Sequence, residues 1–181
     1  MTGTTTEGEA YHANDPILLD WVQATAGFGF MEAYHAFVRP LSLPERDILF
    51  AEASPAARLY GAVGAPKSQH ELDVLFETMK TRLVPSPIVF EFLDIMKRVP
   101  ALPAAVRPLQ TMLIKAAVDI LPEWVRERLG LGQKWSLSTL ERGLIKLAAR
   151  ANDRVMLPSL PAVQACRRLG LADDYLYRPT Q

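Results

Sequence analysis

The longest run of apolar positions at three- and four-residue spacing lies in YHANDPILLDWVQATAGFGFMEAYHAFVRPLS, Tyr11 to Ser42. Ile17, Trp21, Ala24, Phe28, Met31, His35 and Val38 fall on one face of a helix. Leu19, Gln23, Ala26, Phe30, Ala33 and Phe37 form a second, largely apolar stripe beside it. Asn14 or Asp15 can cap the start, Pro16 suits the first helical position, and Pro40 stops the run. A helix apolar on most of its circumference belongs in the middle of a bundle. From Ile17 to Val38 it spans about 33 Å at 1.5 Å per residue.

The same pattern, cut by prolines and capping boxes, predicts the remaining elements. Ser42 with Glu45 opens a helix through about Ala53, where Pro55 can divide it from a piece over Ala56 to Val63. Ser68 with Glu71 opens a helix to about Val84, with Leu72, Leu75, Phe76, Met79 and Leu83 inward. Ser86 caps a helix over Pro87 to Arg98, with Ile88, Phe92, Ile95 and Met96 inward. Further helices are expected over Ala104 to Leu121, over Pro122 to Leu131 closed by Gly130, and from Ser138 to Ala151 with Leu140, Leu144, Leu147 and Ala148 on one face. A last one covers Pro161 to Leu169, closed by Gly170. Residues 1–10 read as a loop and 171–181 as a loosely packed tail, and no two-residue alternation is long enough to argue for a sheet. The expectation is an all-α, single-domain bundle of roughly seven to nine proline-punctuated helices around a buried central helix at about 16–38.

Composition narrows the function classes. The 181 residues are 49% hydrophobic and 22% charged, enough for a core of their own. Twenty acidic residues balance twenty basic ones, so no overall field favours nucleic acid. The basic residues Arg126, Arg128, Arg142, Lys146 and Arg150 lie among acids, as on a solvated face. One cysteine, Cys166, rules out an internal disulfide and a cysteine metal cage. No leader and no uncharged run long enough to span a bilayer are visible, which gives a cytoplasmic location as the expectation.

Two features carry candidate chemistry. Glu-x-x-His occurs at Glu9/His12 and at Glu32/His35, the spacing by which di-iron bundles present two ligands from one helical turn. The first copy lies in a Gly-flanked segment, and the second also fits an ordinary polar pair. Gly27 and Gly29 sit mid-helix at about 1 kcal/mol each against alanine. Close approach of another helix accounts for them, with a flat cofactor against bare backbone as the alternative. Phosphate-binding loops, His-Glu-x-x-His and Gly-x-Ser-x-Gly are missing from the sequence.

Tyr11-x-Ala13-x-Asp15-Pro16, Leu18-Leu19-x-Trp21-Val22-x-Ala24-Thr25 and Tyr34-x-x-Phe37-Val38-Arg39-Pro40-Leu41-Ser42 closely resemble the DUF2236 family of latex-clearing rubber oxygenases and MpaB-type oxygenases. The resemblance implies an all-α, haem b-dependent oxygenase that cleaves carbon–carbon double bonds of isoprenoid chains, with an axial histidine and a dry pocket for the apolar substrate. Trp21, Gln23, Thr25, Phe28 and Tyr34 are the pocket candidates it suggests. The family's H-x-x-V-x-G segment, whose histidine is the expected iron ligand, would place that residue about three positions ahead of Met1 if Gly3 is the glycine. His12, His35 and His70 do not match it, and Gln23 stands where many members carry histidine. The expectation is therefore the C-terminal part of such a domain, inactive as a haem oxygenase on its own and assigned no metal ligand. Its alternative is a non-catalytic helical module that binds lipid or self-associates through an exposed apolar face.

Overall fold

The computed structural model describes residues 2–4, 8, 10–12, 14–102, 104–153 and 155–178. Helix starts follow local chemistry. The Asp15 carboxylate accepts the N–H groups of Ile17 at 2.8 Å and Leu18 at 3.4 Å, and Pro16 begins α1, Pro16–Phe37. A reciprocal box of Ser42 and Glu45 starts α2, Leu43–Leu59. The Ser68 hydroxyl accepts from Glu71 N–H to start α3, Gln69–Lys80, and Ser86 does the same for Ile88 at the head of α4, Pro87–Arg98. α5 is Pro108–Asp119 and α6 is Glu123–Arg128. A second reciprocal box, Ser138 with Glu141, opens α7, Thr139–Asn152, and α8 is Pro161–Arg168. Gly130 and Gly170, both at φ +69°, close α6 and α8 in the left-handed conformation that a side chain disfavours.

The result is an all-α bundle, with three departures from the expected elements. Residues 1–10 were expected as loop; instead β1, Thr2–Thr4, pairs antiparallel with β2, Ala10–His12. Gly3 sits opposite Tyr11, and a Cβ on Gly3 would lie 2.6 Å from the Tyr11 hydroxyl, so the ring covers the bare glycine across the ladder. α2 runs through Pro55 without dividing. Pro55 and Ala51 are both exposed, so the carbonyl that proline leaves unpartnered is on the side of the helix that water reaches. The segment expected as one helix from Ala104 is a short 3-10 turn, Ala104–Val106, followed by α5. The tail forms a 3-10 turn at Tyr175–Tyr177 beside α8, and residues 179–181 lie outside the described ones.

α1 packs against α2, α5 and α7. Its Ala24, Phe28 and Met31 join Leu41, Phe50, Leu72 and Phe76 in the main core, while Phe37 packs with Ala116 and Ile145. The face of α3 expected from spacing is inward, with Leu72, Phe76 and Met79 buried. The faces of α4 and α7 differ from expectation. Leu93, with Val89 and Phe90 beside it, meets Ile114 and Val118 of α5, whereas Ile88, Phe92, Ile95 and Met96 are exposed. On α7 Ile145 is the buried residue, and Leu140 and Leu147 are 74% and 70% exposed. Both helices carry apolar residues on two sides, so the repeat alone does not choose which side docks. On α1 itself the second stripe splits: Phe37 is buried and Phe30 is 82% exposed.

Four of the five basic residues expected on a solvated face also tie elements together, and Arg128 and Arg150 do so while exposed. Arg126 and Arg142 converge on Asp119, whose side chain is 5% exposed. Arg128 donates to the Leu83 carbonyl at 2.7 Å, and Arg150 to that of Val38 at 3.1 Å. Val38 caps the end of α1, where backbone acceptors lack partners, and Leu83 lies in the segment that follows α3.

Candidate functional site

Two apolar cavities flank α1, one on each side of its Gly27–Gly29 stretch. The larger, about 740 Å³, lies between α1 and α3, α5, α6 and α7. Trp21, Thr25, Phe28 and Tyr34 all line it. Phe76 forms its wall with ring centroids 5.2 Å from both Trp21 and Phe28, and 6.4 Å from Trp124. The Thr25 hydroxyl donates back to the carbonyl of Trp21 at 2.9 Å, with that of Val22 at 3.1 Å, so its proton serves the helix. The smaller cavity, about 630 Å³, lies between α1 and α2 and receives Gln23, which it shares with Tyr34 but not with Trp21, Thr25 or Phe28. Ala26, Phe30 and Tyr34 line both.

The two glycines differ. A Cβ on Gly27 would stand 3.3 Å from Cε1 of Phe50, the close approach of α2 that its position suggests. A Cβ on Gly29 would meet nothing within 4 Å, because Gly29 opens onto the larger cavity.

At the mouth of the smaller cavity the Arg39 guanidinium lies 5.9 Å from the Tyr34 ring centroid and 2.7 Å from Glu45 Oε1. The backbone N–H and hydroxyl of Ser42, and then Arg39, hold the Glu45 carboxyl down to about 2. Glu45, and after it Tyr34, hold Arg39 more firmly protonated than usual.

Metal-binding side chains stand elsewhere. His12 is exposed on β2, and His70 is exposed on α3. His35 Nδ1 accepts the Leu41 N–H at 2.8 Å, which fixes the imidazole on the backbone turn after α1. None of the three lines either cavity. Glu32 is bound to Arg46 at 2.5 Å, so both polar members of the second Glu-x-x-His copy are engaged in packing contacts; Glu9, of the first, lies outside the described residues. Among the described residues no three His, Cys, Asp or Glu side chains gather as a metal-binding set. No described helix is long and apolar enough to cross a membrane.

Sequence reasoning places Phe76 on the inward face of α3 but does not connect it with Trp21 and Phe28, since nothing local encodes that meeting. Leu113 and Ile145, also at the larger cavity, carry no motif.

An all-α bundle with apolar cavities against its central helix is the class the fold and site define. The chain matches, over residues 1–152, the family described as "ER-bound oxygenase mpaB/B'/Rubber oxygenase, catalytic domain", and it belongs to that family. No curated protein and no solved structure matches it.

Proposed function

We propose that this member of the oxygenase family holds an apolar molecule, of the isoprenoid kind the resemblance implies, in the larger cavity, and that its own residues do not run haem chemistry. The observation that carries the reading is the make-up of the walls: Trp21, Phe28 and Phe76 supply apolar area, Thr25 spends its proton on the helix, and no imidazole is present. Haem b supplies oxygen activation in such enzymes, but its iron needs an axial donor. The three histidines are away from both cavities, and Arg39, the cation that could meet a haem carboxylate in the smaller one, is paired with Glu45. The residues present do not fit the group, and no oxygen chemistry is assigned to them.

Hemin titration of the purified chain tests the haem part. The expected result is no stoichiometric Soret band that shifts on reduction and CO addition; a one-to-one band lost on His12→Ala, His35→Ala or His70→Ala would overturn it. A fluorescent isoprenoid analogue tests the cavity. Ala117→Trp, which fills it from an exposed position on α5, is expected to remove binding, and unchanged affinity would refute the site.

A second reading, self-association, is favoured by one surface. Leu140, Leu144 and Leu147 share an exposed face of α7, and Leu144 lines, with the exposed Leu109 and Leu113 of α5, a groove of about 430 Å³. Sedimentation is expected to give a concentration-dependent dimer that Leu147→Lys weakens; a monomer at every concentration would refute it.

A further inference from the structure

The smaller cavity, on the other side of α1, carries a polar arrangement that the larger one lacks. Its floor is one stripe of α1 running from Gln23 through Gly27 and Met31 to Tyr34. Gln23 and Tyr34 are eleven residues apart, three full turns, so they lie on the same face about 16 Å apart along the axis. The facing wall is α2, with Leu49, Ala53 and Ala57. Apart from Ser54 the groove between its two ends is apolar, and α2 approaches the bare backbone of Gly27 there with the edge of Phe50. Its volume of about 630 Å³ is within the range of small-molecule sites.

The two ends differ in chemistry. At one stands the Gln23 amide, a donor and an acceptor without charge. At the other stand Tyr34, Arg39 and Glu45. There the guanidinium and the carboxylate, 2.7 Å apart, cancel each other. Glu45 also accepts the Ser42 N–H at 2.8 Å and hydroxyl at 2.7 Å, so it is fixed by the start of α2 and cannot swing aside. An anionic head entering this end would face the Glu45 carboxylate as well as Arg39, and a cationic head would face Arg39. A hydroxyl or carbonyl meets neither repulsion, and the Tyr34 phenol and the unused guanidinium N–H groups are suited to it.

We infer that the groove between α1 and α2 is a second binding site, for a straight-chain amphiphile whose uncharged polar head sits at Tyr34 and Arg39 while its chain lies along the Gly27 stripe toward Gln23. The inference is separable from the isoprenoid reading, since Gln23, Arg39, Glu45 and Ala53 do not line the larger cavity, although Tyr34 lines both.

The test is competition against an environment-sensitive naphthylamine probe by dodecanol, dodecanoate and dodecylammonium. Dodecanol is expected to compete best. Glu45→Gln is the discriminating variant: glutamine at that position preserves the capping box, so α2 still starts correctly, while the head end gains a net positive charge. It is expected to tighten dodecanoate about threefold, the factor a screened surface charge commands, and to leave dodecanol within about twofold. Tyr34→Phe is expected to weaken dodecanol about fivefold, the factor of one neutral hydrogen bond. Ala53→Trp blocks the groove from α2, and Leu49→Lys, at an exposed wall position, serves the same purpose should the tryptophan disturb folding; each is expected to weaken dodecanol while leaving the isoprenoid analogue bound. Tighter binding of dodecanoate than dodecanol by the parent chain, no response of dodecanoate to Glu45→Gln, or parent-like dodecanol binding by both blocking variants would overturn the inference.

Discussion

Gly27→Ala and Gly29→Ala form a matched pair that tests whether α1 is flanked as described. Both glycines are inside the same helix, so replacing either by alanine removes the same backbone entropy and should stabilise the chain by about 1 kcal/mol when nothing else changes. For Gly29 nothing else does: the new methyl would have no heavy atom within 4 Å and enters apolar space. At Gly27 the methyl would be 3.3 Å from Cε1 of Phe50, tighter than ordinary contact. Phe50 is buried in the main core with Leu72 and Phe76, so its ring can yield only by leaving its rotamer, at about 0.5–1.5 kcal/mol. The two terms cancel at Gly27. Thermal melting should therefore rise by about 2–4 °C for Gly29→Ala and hardly move for Gly27→Ala, at the scale usual for a chain of this length. Urea midpoints at unchanged slope would give the same order. Equal stabilisation by both would mean that Phe50 does not press on Gly27. A destabilised Gly29→Ala would mean that the larger cavity does not reach the helix backbone, and would remove the ground for placing a ligand there.

Phe76→Ala should cost about 3–5 kcal/mol by urea denaturation, because it empties the wall shared by Trp21, Phe28 and Trp124; a loss below about 1 kcal/mol would mean that the aromatic cluster is loose. Asp119→Asn should cost about 2–3 kcal/mol, less than a fully buried pair because Arg142 is 41% exposed, and the loss should shrink in Arg142→Met. Acid should destabilise the chain between about pH 4.5 and 2. The Glu141 carboxyl, held to about 2 by Lys115 and then by the Ser138 N–H and hydroxyl, and Glu45, held to about 2 chiefly by Ser42, add stability that is complete above their ordinary value of 4.5 and disappears as the pH falls through the lower one. Melting temperatures followed across that window should fall less in the Glu45→Gln, Glu141→Gln double variant; an equal fall would refute the assignment.

What the sequence made legible follows from which signals are local. Caps and breakers act within four residues of one another, so Asp15, Ser42, Ser68, Ser86 and Ser138 could be read directly as helix starts, and each begins one. The hairpin escaped because three-residue strands are too short to show alternation, and what holds Gly3 against Tyr11 is a contact across the ladder. The inward faces of α4 and α7 escaped for a different reason. Ile88, Phe92 and Ile95 are as apolar as Val89, Phe90 and Leu93, and only the position of α5 decides between the two sets.

The site was half legible on the same grounds. Trp21, Thr25 and Phe28 share a cavity because they share a stretch of α1, which spacing can show, but Gln23 goes to the opposite groove through a rotation of only two residues from Trp21 or Thr25. The motif that suggests the family includes Trp21 and Thr25 but leaves position 23 open and omits Phe28, since it records a helix and its turns rather than one cavity. Under the proposed reading family and chemistry separate: the central helix belongs to the segment that matches the oxygenase family, while the imidazoles lie on β2, on α3 and near the end of α1, where His35 accepts the Leu41 N–H. The proposed reading rests on that placement, because none of the three histidines lines either cavity and an axial donor would have to stand at one of them.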